Sequence, residues 1–211
     1  THRNDKHWWR VYGEGELGET EGRILTGWQM IDEIPHEARL ERYGLDFGYD
    51  PDPAAIVAIY YYNGGYILDE ELYARKQDNP TLAGIFRNIP QALVIADSAE
   101  PKSIAEIKAF AVNIIGTQKG KDSVRYGVKT MQGLRISITK RSINGIKEYR
   151  NYFQKVDRKT NQPVMGEYEG SCHFLDAARY GLCSLIPIIN RKQRMEQMPR
   201  RQEEATINPA V

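Results

Sequence analysis

Hydrophobic and polar positions divide the chain into a first part that predicts strands and a later part that alternates between helices and strands. The first part contains apolar, β-branched and aromatic runs bounded by polar turns, which is the pattern of strands. Three strands are predicted at residues 42–48, 54–62 and 65–75. The turn Asn63-Gly64-Gly65 favours a hairpin between the last two strands, because glycine accepts the positive φ that such turns need.

The later part combines short apolar segments with segments of helical spacing. Further strands are predicted at residues 91–97, 112–116 and 135–139, and helices at residues 81–88, from Pro101, and at residues 121–133, 142–155 and 173–186. This order predicts an α/β fold with a mixed sheet, antiparallel on one side and parallel on the other, whose faces are covered by helices. The RNase H-like fold is one of the folds with this pattern.

The two ends of the chain lack the pattern of a folded core. Residues 1–40 have scattered glycines and no sustained period, so we predict a linker or the end of a preceding domain. Residues 41–186 form the predicted domain, and the charged residues 187–211 form a predicted flexible tail. Residues 156–170, between the last two helices, are rich in turn residues and predict a turn or an exposed hairpin.

Composition narrows the functional class only slightly. The 211 residues suffice for one sizeable domain with a tail, and 29 basic and 28 acidic residues give a net charge of +1. This balance neither indicates nor excludes a nucleic-acid partner, which only a local basic patch would indicate. Cys172 and Cys183 fit free thiols in a reducing compartment, and no apolar run reaches the roughly 20 residues that cross a bilayer. Because no signal peptide is visible and the first residue is Thr1, we expect a fragment of a longer cytoplasmic protein.

Aspartates stand in or at the end of predicted buried strands. Asp46 lies inside an apolar strand, where a carboxylate is costly unless it is paired or binds a metal. Asp97 ends the next buried strand, and ligands gather at the carboxyl ends of parallel strands, so the two acids meet if these strands are neighbours. His173 and Asp176 are three residues apart and share one face of the last predicted helix, which can point at the same sheet edge.

Three carboxylates that meet without cationic side chains repel one another, and divalent cations relieve that repulsion. Oxygen ligands favour hard ions such as Mg²⁺ or Mn²⁺. Two such ions roughly 4 Å apart activate a water and stabilise the leaving oxygen of a phosphodiester. The sequence therefore predicts Asp46, Asp97 and Asp176 as metal ligands of a phosphodiester-cleaving site.

Each of these residues also has a structural alternative. Asp46 can cap a turn, Asp97 can be the N-cap of the helix that starts at Pro101, and an acid such as Asp176 is ordinary in a first helical turn. His173 can bind metal, position a water or cap its helix. Asp50 and Asp52 shape the proline-rich turn, with an auxiliary metal contact from Asp50 as the alternative.

Basic residues around these acids are candidates for phosphate contacts, because the phosphate backbone supplies most of the non-specific affinity for DNA. They are Lys102, Lys119, Lys121, Lys140, Arg141 and Lys147. Individually each fits a solvated surface charge. The segment GTQKGKDS at residues 116–123 departs from a phosphate-binding loop in its glycine spacing and has Asp122 in place of Ser or Thr, so we expect no ATP binding there.

Three motifs carry a resemblance to a known family. They are GLDFGYDPDPAAIV at residues 44–57, VIADSAEPKSIAEI at residues 94–107 and HFLDAARYGL at residues 173–182. Together they resemble the nuclease domain of tailed-phage large terminase subunits, over roughly residues 40–186.

That resemblance implies an RNase H-like fold and a two-metal endonuclease that cuts concatemeric viral DNA during packaging in the host cytoplasm. By motif, Asp46, Asp97 and Asp176 match the acidic triad, with Asp46 bridging two Mg²⁺ or Mn²⁺ ions, and His173 matches a histidine of some members. It also implies double-stranded DNA, a portal protein and a small terminase subunit as partners of the full-length motor, no membrane, and an ATPase before residue 41.

Two other functions remain open from the sequence. One is another RNase H-like nuclease, of the resolvase or integrase type, whose acids would look alike. The other is a non-catalytic module that docks a motor onto a portal or DNA. A separate hypothesis concerns residues 156–170, which as a hairpin before the third acid would limit access to the site.

Overall fold

A computed structural model describes residues 22–185, except residues 119, 121, 158 and 161. The predicted tail at residues 187–211 and the first 21 residues of the predicted linker lie outside the described residues. Within this range the chain forms one seven-stranded sheet with helices on both faces, and a separate two-stranded hairpin.

The large sheet is mixed. Its strands are β1 (Gln29–Ile31), β2 (Arg39–Asp46), β3 (Ala54–Tyr62), β4 (Gly65–Ala74), β5 (Leu93–Ala96), β6 (Ile114–Gly116) and β7 (Ile136–Thr139). They are arranged in the order β1-β7-β4-β3-β2-β5-β6. The β2, β3 and β4 strands are antiparallel, and β5, β6, β7 and β1 each join a neighbour in parallel.

The predicted mixed sheet flanked by helices is confirmed, as is the hairpin at Asn63, where Tyr62 pairs with Gly65. One detail of the expectation was wrong, because the antiparallel strands occupy the middle of the sheet and parallel strands lie on both sides. After β6 the chain crosses the sheet and adds β7 beside β4. Local sequence patterns do not predict that crossover, because a strand has the same pattern of residues whichever edge of the sheet it joins.

In the part of the chain that the structure describes, five helices cover the two faces of the sheet. They are α1 (Asn79–Asn88), α2 (Pro101–Ala109), α3 (Ser123–Gln132), α4 (Ile143–Arg150) and α5 (His173–Leu185). The β3 strand separates two cores, because successive side chains point to opposite faces. Ile56 packs with α1 and α2, whereas Val57 packs with α3, α4 and α5. No helix among residues 22–185 is long and apolar enough to cross a bilayer.

The segment between α4 and α5 differs from the expectation in its boundaries. The helix predicted for residues 142–155 ends at Arg150, where Asn151 forms the cap, and the buried Tyr152 redirects the chain. The β8 strand (Phe153–Val156) then pairs antiparallel with β9 (Pro163–Glu169). A hairpin is therefore present here, and its proposed role in limiting access to the site stays a prediction.

Part of the predicted linker belongs to the fold. Leu25 and Trp28 are buried in the core, and β1 pairs in parallel with β7. The Trp28 ring stacks on Tyr149 with 4.7 Å between centroids. The folded unit therefore starts before residue 41. The sequence pattern did not indicate this start, because a three-residue strand is too short to show a period.

Close backbone contact fixes α5 on the sheet. A Cβ on Gly44 of β2 would lie 1.8 Å from the carbonyl oxygen of Ala177 in α5. Similarly, a Cβ on Gly181 would lie 2.2 Å from Cδ1 of Ile59. Only glycine permits this approach. The contact puts the first turns of α5 next to the carboxyl end of β2, where Asp46 lies.

Candidate active site

Asp46 is the last residue of β2 and is 9% exposed. Its strand is paired on both sides, with Ala55 of β3 opposite Asp46 and with Ala96 of β5 opposite Leu45. Burial is the main reason that the pKa of Asp46 is raised to about 6. The hydrogen bond from His173 lowers this pKa, whereas the negative charges of Asp176 and Asp97 raise it further. A bound cation would stabilise the ionised form of a carboxylate with these neighbours.

Asp97 directly follows β5, which ends at Ala96, one residue before the predicted end of that strand. Its Oδ2 accepts a hydrogen bond from the Tyr180 hydroxyl at 3.0 Å, and its Oδ1 accepts one from the backbone N–H of Ala99 at 2.8 Å. The N-cap position of α2 is Glu100, so the alternative of Asp97 as the N-cap of that helix is wrong. Burial raises the pKa of Tyr180 strongly, which keeps its hydroxyl a donor.

Asp176 lies in the first turn of α5. Its Oδ1 accepts hydrogen bonds from Arg179 Nε at 3.1 Å and Nη2 at 2.7 Å, and its Oδ2 faces the Cys172 thiol at 3.5 Å. The Arg179 side chain is almost fully buried. The expectation that the acids meet without cationic side chains was therefore wrong, and the spacing of three residues between Asp176 and Arg179 was the signal for this pair.

His173 connects two parts of the site. Its Nδ1 lies 3.0 Å from Asp46 Oδ2, and an ionised carboxylate only accepts, so the imidazole donates there. Its Nε2 lies 3.6 Å from Asp52 Oδ1 in the turn after β2. The hydrogen bond to Asp46 raises the pKa of His173. Asp50 instead lies 3.9 Å from Lys76, on the same turn but in a different ion pair.

The three predicted acids come from three elements and meet at one end of the sheet. Each is bonded to a different side chain of α5, namely His173, Arg179 or Tyr180. The donor set is entirely carboxylate oxygen, which fits a hard divalent cation. Within residues 22–185, however, no group of three His, Cys, Asp or Glu side chains is already close enough to hold a metal ion.

Glu148 is a residue of the site that the sequence did not reveal. It lies in α4 and is 3% exposed. Its carboxylate accepts hydrogen bonds from the backbone N–H of His173 at 3.0 Å and of Leu175 at 3.1 Å. It also accepts from the hydroxyls of Tyr73 at 2.7 Å and Ser171 at 3.1 Å. These bonds satisfy amides of the first turn of α5 that have no partner inside the helix, and so hold that turn in place.

Comparison with solved structures shows which domains this chain is similar to. The large terminase nuclease domain of bacteriophage SPP1, solved with bound Mn, superimposes with a TM-score of 0.62 and 28% sequence identity, covering 75% of this chain and 97% of that one. The chain matches the nuclease domain of phage large terminases. Its sheet and helices have the RNase H-like arrangement of those domains.

A curated relative supports the same family. The large terminase subunit of Bacillus phage SPP1 is 35% identical over 147 residues, which are 66% of this chain and 35% of that protein. The chain thus spans about a third of the length of that relative. No family model matches the chain.

More distant terminase nuclease domains show the same fold. That of phage P22 has a TM-score of 0.55 at 12% identity, covering 79% of this chain and 90% of that one. That of the thermophilic phage G20c, solved with bound magnesium, has a TM-score of 0.54 at 12% identity, covering 80% and 97%.

The basic residues predicted around this terminase-like site form three groups: those in ion pairs, those outside the described residues, and those that are exposed. Arg141 is bonded to the fully buried Asp69 through Nε at 2.8 Å and through Nη2. Lys140 pairs with Asp32 at 2.7 Å. Lys119 and Lys121 lie outside the described residues. Lys102 and Lys147 are exposed, and they are on opposite sides of the acids, on α2 and α4.

Arg141 already has a structural partner, the buried carboxylate of Asp69, and a phosphate contact from it stays a prediction. Asp69 lies in the interior of β4, where an ionised carboxylate needs charge-assisted hydrogen bonds. Thr139 donates to the same carboxylate at 2.5 Å, so Asp69 is held by a hydroxyl and a guanidinium. The hydrogen bond to Asp69 raises the pKa of Arg141 further. A guanidinium with this task is structural, because moving it to a phosphate would leave a buried charge unpaired.

Proposed function

We propose that this chain is a metal-dependent endonuclease domain that cuts double-stranded DNA during the packaging of concatemeric viral genomes. The observation that carries the proposal is the placement of the three acids: Asp46 ends β2, Asp97 directly follows the neighbouring parallel strand β5, and Asp176 lies in the first turn of α5, which packs on β2. The similarity to a terminase nuclease domain that binds Mn supports it, since that match covers 97% of the neighbour.

The chemistry depends on divalent cations, Mg²⁺ or Mn²⁺. When bound in pairs, they activate a water and stabilise the leaving oxygen of the phosphodiester. In this chain Asp46, Asp97 and Asp176 would hold the ions through their carboxylate oxygens. His173 fixes the orientation of the Asp46 carboxylate through Oδ2. Arg179 holds Oδ1 of Asp176 and leaves Oδ2 with only a weak thiol donor, so Oδ2 is the oxygen more easily given to an ion.

The same proposal covers the rest of the chain. The residues before about residue 25 would be the end of the packaging ATPase and its linker, and the nuclease domain would extend from there to residue 186. In the full-length motor the partners would be double-stranded DNA, the portal protein and the small terminase subunit, all in the host cytoplasm. These assignments rest on the family to which the chain is similar.

Cleavage of supercoiled plasmid tests the proposed function. We expect nicked and then linear DNA with Mn²⁺ or Mg²⁺, and no product in the presence of EDTA. Activity restricted to branched junctions or RNA–DNA hybrids would favour the resolvase or integrase type instead. DNA binding without any cleavage, in every divalent metal tried, would favour the docking module.

Metal affinity should depend on pH through Asp46. The pKa of this group is raised to about 6, so it becomes protonated as the pH falls through that value, and a protonated carboxylate is a poor ligand. We expect Mn²⁺ affinity to be constant above about pH 7 and to fall by up to about tenfold per pH unit below pH 6. Electron paramagnetic resonance of free Mn²⁺ measures this directly. An affinity that stays flat down to about pH 5 would contradict a ligand role for Asp46.

A further inference from the structure

Two grooves border the turn that follows β2, one on each side of the acids. The first, which we call the basic groove, has a volume of 720 Å³ and is lined by Arg75, Asn144, Lys147, Asn151, Ser171 and His173, among others. The second, the acidic groove, has a volume of 560 Å³ and is lined by residues that include Phe47, Tyr49, Asp78, Glu100 and Glu106. The basic groove includes His173 in its lining, and the acidic groove includes Phe47, the residue after Asp46, so both adjoin the acids.

The two grooves differ in their charged side chains, because among the described residues the basic groove is lined by two cations and two acids and the acidic groove by acids alone. Arg75 and Lys147 are exposed, and neither forms an ion pair with any described residue. The acids that line the basic groove are already engaged, because Asp52 faces His173 and Glu148 accepts four hydrogen bonds. The described lining of the acidic groove contains three carboxylates and no basic side chain.

The wall of the basic groove is built into the same framework as the acids. Asn144, Lys147 and Asn151 recur at helical spacing, so they share one face at the end of α4. Glu148, the next residue after Lys147, is buried and bonded to the first turn of α5. The backbone at Lys147 is therefore fixed relative to the first turn of α5, and its side chain lines the same groove as His173.

The two grooves would interact differently with the charge of the DNA backbone. Duplex DNA carries one negative charge per roughly 1.7 Å of its axis, and each phosphate that a cation neutralises releases counterions. Carboxylates beside the backbone repel it. We infer that the DNA backbone next to the scissile phosphate lies in the basic groove, contacted by Lys147 and Arg75, and not in the acidic groove. This inference rests on the proposed nuclease function and adds the side from which the substrate approaches.

Two matched lysine variants test the path. Lys147→Ala removes a cation of the basic groove, and Lys102→Ala removes an exposed cation in α2 next to Glu100 of the acidic groove. The measurement is the affinity for a linear duplex at several salt concentrations, without divalent metal. We expect Lys147→Ala to lower the slope of log affinity against log salt by about 1, and to weaken binding about tenfold at roughly 0.1 M salt. Lys102→Ala should change neither quantity.

Further variants distinguish an error in the proposed DNA path from an error in the proposed nuclease function. Lys147→Arg keeps the charge and should keep the salt slope, and an additional Arg75→Ala substitution should lower it further. If wild-type protein cuts plasmid but Lys147→Ala binds DNA as wild type does, the path is wrong and the nuclease function stands. A loss confined to Lys102→Ala would place the DNA on the acidic side. If wild-type protein does not cut plasmid under any metal, the proposed function itself fails.

Discussion

Asp46→Asn is expected to abolish DNA cleavage and to leave the domain folded. The amide keeps the size of the carboxylate but removes the charge that holds cations, and a loss of several kcal/mol of transition-state stabilisation corresponds to about a thousandfold or more in rate. Folding should not suffer. Because burial raises the pKa of Asp46 above its ordinary value, ionised Asp46 opposes folding once the pH exceeds about 6. A neutral amide removes that opposition.

Two measurements on one preparation separate these effects. Plasmid cleavage with Mn²⁺ should fall to the background of an EDTA control, and the thermal midpoint at about pH 8 should be unchanged or higher than that of wild type. Asp32→Asn is the matched control, because Asp32 is an exposed acid that pairs with Lys140 outside the site. Cleavage by Asp46→Asn at the wild-type rate would mean that the acids do not form the active site.

The positions of two of the acids were predictable from local pattern. An aspartate inside the apolar run before residue 48 and another at the end of residues 91–97 are unusual enough to indicate a shared edge of the sheet. The structure places β2 beside β5 in parallel, so Asp46 and Asp97 are neighbours for the reason that the pattern gave. A metal-ligand role for these side chains stays a prediction.

The partners of the acids were not predictable in the same way. Tyr180 is 83 positions from Asp97 and Glu148 is 25 positions from His173, so no short-range spacing links them. Gly44 is an exception, because an isolated glycine in a buried strand indicates close approach of another backbone. Here that backbone is Ala177 of α5. The isolated glycine therefore predicts a close contact, but it does not identify the element that makes the contact.

The α5 helix organises the candidate site from two directions. On the side of the sheet, the glycine contacts at Gly44 and Gly181 set its distance from β2. At its first turn, Glu148 accepts two backbone amides and so fixes the end that carries His173 and Asp176. The first contact cannot respond to a ligand without moving the sheet. The second is made by hydrogen bonds, and it is therefore the one that a single substitution can release.

Glu148→Ala should destabilise the domain strongly. It would leave the buried amide of Leu175 and the part-buried amide of His173 and hydroxyl of Tyr73 without this acceptor, and a buried group without a partner costs about 1–3 kcal/mol. We expect the free energy of unfolding to fall by more than about 3 kcal/mol. Glu148→Gln should cost less, because it keeps the volume and one acceptor oxygen. Urea denaturation followed by circular dichroism measures both, with the exposed Glu33→Ala as the control.

A positioning role of Glu148 goes beyond stability, and the glutamine variant reveals it. Under conditions where Glu148→Gln is fully folded, a displaced first turn of α5 would move Asp176 and His173 relative to Asp46. We therefore expect Mn²⁺ affinity and the cleavage rate to fall in this variant, while affinity for duplex DNA without metal stays at the wild-type value. Wild-type Mn²⁺ affinity in folded Glu148→Gln would restrict Glu148 to stability. A parallel loss of DNA affinity would instead mean that the whole end of α4, including Lys147, had moved with it.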